Sequence, residues 1–431
     1  MSEIEDKKLI KRQIFPKVAN HLEKSEIALI VGPRQAGKTV LLGMLKNWLI
    51  EEKGIDPRSV LYFNLDIVKD WEFFQNQTDF IEFLKEKSTK NKVYVLVDEA
   101  QKVPNCARFF KGVFDSNLNA KLVLTGSASL ELKTKVQESL AGRKRVFRLL
   151  PFSFAEFLSA RDEELFGLLE KSRISSISQK KIVSFFKEYT VWGGYPRVVF
   201  AQTKEEKVAT LSEIFTSYVE RDIVGFLRVK NRLSFSKLVK LLSGQIGQLV
   251  NVAELSNSLN LDRQTVERYL QALKETFITA PLPPYFRNTR QEIIKQNKIY
   301  FNDTGMRNYA LEDFSSLSDR RDAGSLFENA VFKEICVSLS PLQKIRFWRT
   351  KQGAEVDFLI VSGEKILPIE TKLHLQKPHV AVSLRNFIKN YSPQNALVVN
   401  SSLRSDLMYK ETKVGFIHPH EIGQELVSGV C

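Results

Sequence analysis

The chain has 431 residues, enough for about three domains of ~150 residues each. Its 43% hydrophobic and 26% charged residues sit near the globular average, which excludes a wholly disordered or fibrous chain. Lys and Arg number 64 against 50 Asp and Glu, and the resulting formal charge of +14 favours polyanionic partners such as nucleic acid over acidic ones. Cys106, Cys336 and Cys431 lie far apart without a CxxC pair, so neither a disulfide framework nor a cysteine-based zinc site is expected. The opening MSEIEDKKLIKRQIF lacks the apolar core of a signal peptide, and no apolar run approaches the ~18–20 residues of a membrane helix. These features predict a soluble, cytoplasmic protein with reduced thiols and no membrane partner.

Short apolar runs at 27–31, 60–65, 93–97 and 121–125 read as buried parallel strands, with helical patterns between them, notably at 38–52 and 106–116. This alternation predicts a doubly wound α/β sheet over residues 1–150. Amphipathic helices at 153–170, 177–190, 203–226 and 233–243 dominate 151–245, and WGGYP at 192–196 breaks them with a turn. A compact helical unit followed by a hairpin or wing fills 246–310. The acidic, Ser-rich stretch 311–325 reads as a linker. Residues 326–431 open with a helix and continue with strand-like runs at 345–349, 355–361, 366–373 and 396–400, a second, smaller α/β domain.

The strongest motif is GPRQAGKT at 32–39, which fits G-x-x-x-x-G-K-[ST] and lies between a strand and a helix. Gly32 and Gly37 permit backbone conformations that a side chain hinders. Main-chain N–H groups of Gly32, Pro33's successors Arg34, Gln35 and Ala36, then Gly37, Lys38, Thr39 and Val40 can then cradle phosphate at a helix N-terminus. Lys38 is expected to reach the β- and γ-phosphates of ATP, and the Thr39 hydroxyl to bind Mg²⁺. VYVLVDEAQ at 93–101 supplies the complement: Asp98 to hold Mg²⁺ through water and Glu99 to orient the attacking water. In KLVLTGSAS, Thr125 or Ser127 can sense the γ-phosphate, with a small polar turn as the plain alternative. Arg143, after a glycine, is a candidate arginine finger in cis or in trans; Arg145 is its rival, and a solvated basic strand is the competing reading.

GPRQAGKT, LVDEAQ, LTGSAS and LAGR followed by LLPFSFAEFL resemble the AAA-type P-loop ATPases, especially the bacterial and archaeal group related to signal-transduction ATPases. The resemblance covers roughly residues 10–310. It implies a RecA/AAA-like core with a helical lid, in which Gly194, Tyr195 and Pro196 form a G-x-P turn near the base and Arg197 contacts phosphate. It leaves open a homo-oligomer.

Residues 251–280 have the pattern of a winged helix-turn-helix: a helix VAELSNSL, a turn, Asp262 as N-cap, and a second helix RQTVERYLQAL. Arg263, Gln264, Thr265 and Arg268 would face outward toward DNA. Glu267 and Glu275 are poor company for phosphates, and a protein-contact or lid role is the alternative.

In the tail, Glu328 lies on the helix LFENAVFKEI. Strand alternation puts Glu355 with Asp357, and Glu370 with Lys372, on one face each, with Ile369 and Thr371 on the other. Asp357 and Glu370 can hold Mg²⁺ or Mn²⁺. Lys372 can orient a water or stabilise developing negative charge, and Glu328 can bind a second metal or position the first. A solvated sheet face with ion pairs is the alternative. Together, Glu328, Asp357 and Glu370-Thr371-Lys372 resemble the PD-(D/E)XK nuclease superfamily over about 320–431, with Val356 in place of the proline that often precedes the aspartate. His374, His379, His418 and His420 form no zinc-type ligand set. The expectation is an ATPase that switches a metal-dependent nuclease-like site acting on DNA. The alternatives are an inactive nuclease-like domain used for docking and an ATP-responsive DNA-binding regulator of transcription.

Overall fold

The structure, a computed structural model, describes residues 9–89, 91–127, 140–169, 174–217, 232–286 and 296–428. It divides into two compact units, one of 1–151, 216–229 and 271–277, the other of 152–215, 230–270 and 278–431.

The first unit is built on a five-stranded sheet of β1 (Ile27–Gly32), β2 (Val60–Asn64), β3 (Val93–Asp98), β4 (Ala120–Ser127) and β5 (Lys144–Arg148), in the order β2-β3-β4-β1-β5. Every pairing in it is parallel. β1 and β3 are buried along their whole length because both faces are covered. Ile27, Leu29, Val31, Val93, Val95 and Val97 pack into one core cluster. Ala28, Ile30, Tyr94 and Leu96 pack into the other, so successive side chains serve opposite layers. The first cluster also holds Phe63, Phe74, Phe80, Phe109, Phe110 and Phe277. The helix predicted at 38–52 is α-helical over Lys38–Asn47 and continues as a π-turn at Trp48–Glu52.

The second unit contains the helices Phe154–Arg161, Ser176–Trp192, Pro196–Phe200, Lys204–Phe215 and Arg232–Gly244. The helix Val252–Leu259 follows, ends on Asn260 in the left-handed region (φ 51°), and leads into the helix Arg263–Glu275. Asp262 caps that second helix, accepting from the Thr265 N–H at 2.7 Å. β6 (Thr279–Leu282) and β7 (Lys298–Phe301) then pair antiparallel. Arg263, Gln264 and Arg268 are exposed and Thr265 is half-buried, while Val266 and Tyr269 turn inward.

Six strands form the last sheet: β8 (Lys344–Arg349), β9 (Glu355–Ser362), β10 (Lys365–Lys372), β11 (Asn395–Asn400), β12 (Ser405–Tyr409) and β13 (Thr412–Ile417). Their order is β12-β13-β11-β10-β9-β8. β8, β9 and β10 form an antiparallel meander, β10, β11 and β13 run parallel, and β12 returns antiparallel along the edge. The helices Ala323–Ser338 and Val382–Tyr391 pack on β10 and β9 respectively.

Residues 311–325 are not a loose linker, which corrects that expectation. Arg320 in this stretch and Arg307 on the helix Thr304–Leu311 before it are both buried and need partners. Arg307 pairs with Asp322 at 2.6 Å, and Arg320 with Asp322 at 2.8 Å and Asp313 at 3.4 Å. The acidic composition that suggested solvent serves buried guanidinium groups instead.

Candidate functional site

The phosphate loop begins where β1 ends. A side-chain carbon on Gly32 would lie 2.0 Å from the Leu149 carbonyl oxygen, because Leu149 donates to the Val31 carbonyl at 2.8 Å. Gln35 (φ 58°) and Gly37 (φ 96°) take left-handed conformations that fold the loop over the start of the helix Lys38–Asn47. Gly37 caps that helix without a side-chain hydrogen bond, and a helix N-terminus of this kind suits an anion. Pro33 and Ala36 are buried, Gln35 is half-buried, and Arg34, Thr39 and Val40 are exposed. Lys38 is buried and donates to the Gly32 and Pro33 carbonyls at 3.2 and 3.0 Å. Burial lowers its pKa, partly opposed by Glu99 and Asp98.

The Thr39 hydroxyl donates to Asp98 Oδ2 at 2.6 Å, which brings together the two residues expected at Mg²⁺. A hydroxyl and a buried carboxylate at hydrogen-bond distance suit a hard cation that keeps most of its waters. The parallel register sets Thr125 beside Asp98. Its hydroxyl donates to Asp98 Oδ1 and accepts from the Glu99 N–H at 3.1 Å. Thr125 is fully buried and thus clamps both acids from behind. Glu99 adopts φ 56°, left-handed for a residue with a side chain, and its carboxylate accepts from Gln101.

Sequence reasoning missed Arg12. It donates to the Ala36 carbonyl at 2.7 Å and the Leu150 carbonyl at 2.6 Å, tying the loop to the strand end beyond β5. Only its position before the first strand hinted at this. The cis reading of Arg143 is a correction; the trans reading is untouched by it. It precedes β5 at the end where Ile27 of β1 also begins, and the Ile27 N–H donates to its carbonyl at 2.8 Å. The loop lies at the opposite end of β1, so Arg143 does not act in cis. Its guanidinium is paired with Asp115 at 2.7 Å. Arg145 is exposed on the same strand. Ser127 ends β4.

In the second unit, Gly193 (φ 75°) and Gly194 form the turn expected there. The Gly194 N–H donates to Asp303 at 2.7 Å and its carbonyl accepts from Phe152 N–H at 2.7 Å. Pro196 starts the helix that follows, and Arg197 pairs with Glu213 at 2.7 Å.

The acids of the tail gather at the ends of β9 and β10 and on the helix Ala323–Ser338. Asp357 Oδ2 accepts from both the N–H and the hydroxyl of Thr371 at 2.8 Å. Thr371 meets Asp357 where the β9–β10 pairing has ended, at Ile369 and Phe358. Lys372 pairs with Glu370 Oε1 at 2.9 Å, as their shared face predicted. Glu370 is 5% exposed, and its Oε2 is buried without a partner. Burial, then the charge of Asp357, push the Glu370 carboxyl up to about 7 and the Glu328 carboxyl up to about 8. An orphaned buried carboxylate oxygen beside a second carboxylate suits a divalent cation held by two protein ligands and water. Among the described residues, no three His, Cys, Asp or Glu side chains converge as a metal-ligand group.

Two further residues of this site had no sequence signal. β7 places Lys298 and Tyr300 two positions apart, on one face. Lys298 pairs with Glu355 at 2.5 Å and Glu328 at 3.5 Å, and the Tyr300 hydroxyl donates to Glu328. Asn329 fixes the strand, its amide exchanging two 2.8 Å hydrogen bonds with the Phe301 backbone. His374 and His379 are exposed, while His418 is buried against the Asn400 carbonyl at 3.1 Å.

Residues 24–158 match the family model described as an AAA domain. Over these residues the first unit is similar to an AAA domain. Residues 184–317 and 323–415 match two further models, each described as a domain of unknown function (DUF8612 and DUF4143). An uncharacterized protein of Haemophilus influenzae is 27% identical over 374 residues, covering 85% of this chain and 87% of that protein. The uncharacterized protein MJ1544 of Methanocaldococcus jannaschii is 27% identical over 367 residues, covering 84% and 77%. Among solved structures, the Walker-type ATPase PABY2304 of Pyrococcus abyssi is 14% identical with a TM-score of 0.47, covering 70% of this chain and 96% of that one. The ORC2 protein of Aeropyrum pernix in its ADP form is also 14% identical, with a TM-score of 0.38, covering 73% and 97%. No described helix is long and apolar enough to cross a membrane.

Proposed function

We propose that the chain is an Mg²⁺-dependent ATPase whose turnover switches a restriction-endonuclease-like, metal-dependent site in the second unit that cleaves DNA. The Thr39–Asp98 contact at 2.6 Å, clamped by Thr125, is the observation that carries the ATPase half. On ATP binding, Lys38 exchanges its loop carbonyls for phosphate oxygens, and Thr39 with Asp98 holds Mg²⁺. Glu99, fixed through its N–H by Thr125, orients the attacking water.

Glu370 Oε2 supports the second half, since a buried carboxylate oxygen without a partner suits a cation that Asp357 shares. Bound there, Mg²⁺ or Mn²⁺ lowers the pKa of a water and offsets charge on a phosphodiester. Lys372, paired with Glu370 and 45% exposed, can turn toward substrate and stabilise developing negative charge. The exposed Arg263, Gln264 and Arg268 favour DNA as the partner of the helix pair.

The test is incubation with linear, branched and single-stranded DNA, with and without ATP and Mn²⁺. Metal-dependent cleavage that Glu370→Ala abolishes, with ATP binding retained, supports the proposal. ATP turnover without any cleavage would reassign the tail as a docking module. Sequence-specific duplex binding without turnover would reassign the chain as an ATP-responsive regulator.

A further inference from the structure

The acidic site is lopsided. On one side, Asp357 and Glu370 present a buried oxygen with no partner. On the other, the carboxylates of Glu328 and Glu355 are already met by the chain's own groups. Glu355 Oε1 takes Lys298 at 2.5 Å and its Oε2 takes Arg349 at 3.1 Å. Glu328 Oε1 takes the Tyr300 hydroxyl and lies 3.5 Å from Lys298. The Lys298 side chain is 1% exposed, and its ammonium lies 5.5 Å from the centre of the Phe347 ring, so it is enclosed rather than solvated. A buried ammonium between the carboxyl groups of Glu328 and Glu355 occupies the kind of position a hard cation would take, with the same charge sign and the same oxygen partners.

We infer that this site takes a single divalent cation, on Asp357 and Glu370, and that the Lys298 ammonium stands between Glu328 and Glu355 where a second cation would otherwise bind. The inference rests on the metal-site reading above and goes beyond it by fixing the number of ions and giving Lys298 a role. Lys298 is a positioning residue: enclosed as it is, it acts through Glu328 and Glu355, not on the substrate. Its origin is notable in the fold, because β7 lies outside the six-stranded sheet that carries Glu355, Asp357 and Glu370. Asn329, next to Glu328 in sequence, ties β7 in place.

Titration of nucleotide-free protein with Mn²⁺, followed by calorimetry and by the paramagnetic resonance of free Mn²⁺, counts the ions. Those lost in Asp357→Ala belong to this site. The inference predicts one ion in the wild-type protein, one in Lys298→Arg and two in Lys298→Met. Two ions in the wild-type protein would overturn it while leaving the metal-site reading intact, and that count needs no variant at position 298. One ion in Lys298→Met, bound with wild-type affinity in a protein that melts cooperatively, would also overturn it. No ion displaced by Asp357→Ala would instead sink the metal-site reading itself.

Discussion

Single side chains shape both candidate sites. Glu99 is held in a left-handed conformation with its N–H on Thr125, a local cost of order 1–3 kcal/mol that the clamp must offset. Glu99→Gln keeps the backbone contact and removes the negative carboxylate. It should bind ATP like the wild type and hydrolyse it poorly; normal hydrolysis by this variant would show that another group orients the water. Glu328 makes a pH prediction. Burial and Asp357 raise its carboxyl from an ordinary 4.5 to about 8, so the native state holds a proton that the unfolded chain releases. Through that window the native state binds more protons, and its stability falls as pH rises. Metal-free protein should therefore melt at lower temperature at pH 8.5 than at pH 6, and Glu328→Gln should flatten the slope. Calorimetric scans across pH check this, and equal slopes would contradict it.

At the scale of elements, the parallel strands were legible because burial on both faces leaves an unbroken apolar run, as in IALIV and VYVLV. β5 was not read as part of the sheet. Three of its five residues are basic and only Phe147 is buried, which is the composition of an edge. β12 was missed for a similar reason, its residues alternating between half-buried and exposed. The motif at 32–39 and the acids at 98–99 stand out by spacing, whereas the contacts of Arg12, Lys298, Tyr300 and Asn329 span long sequence separations that no local pattern records. The turn from β1 into the phosphate loop depends on Gly32. A methyl group there meets the Leu149 carbonyl oxygen at 2.0 Å, so Gly32→Ala must push β1 and the segment after β5 apart. It should destabilise the first unit by about 1–3 kcal/mol and abolish nucleotide binding. A variant with unchanged melting and affinity would show that the strands yield freely.

For the whole molecule, the excess of 64 basic over 50 acidic residues fits a polyanionic partner. Arg307, Arg320 and Lys298 are buried in ion pairs, and Lys121 is buried against backbone carbonyls. These ion pairs spend an acid with each base, so they leave the net positive excess intact. If about 6–10 phosphates are contacted, DNA affinity should fall about 10³–10⁵-fold between 50 and 200 mM salt. A nearly flat salt dependence in a filter or fluorescence assay would argue against nucleic acid as the partner. The ATPase reading depends on a triphosphate held by the loop at 32–39. Calorimetric titration of the full chain with Mg²⁺-ATP tests that most directly. Saturable binding by the wild-type protein, lost in Lys38→Ala, is the predicted result; a wild-type protein that ignores millimolar ATP would contradict it.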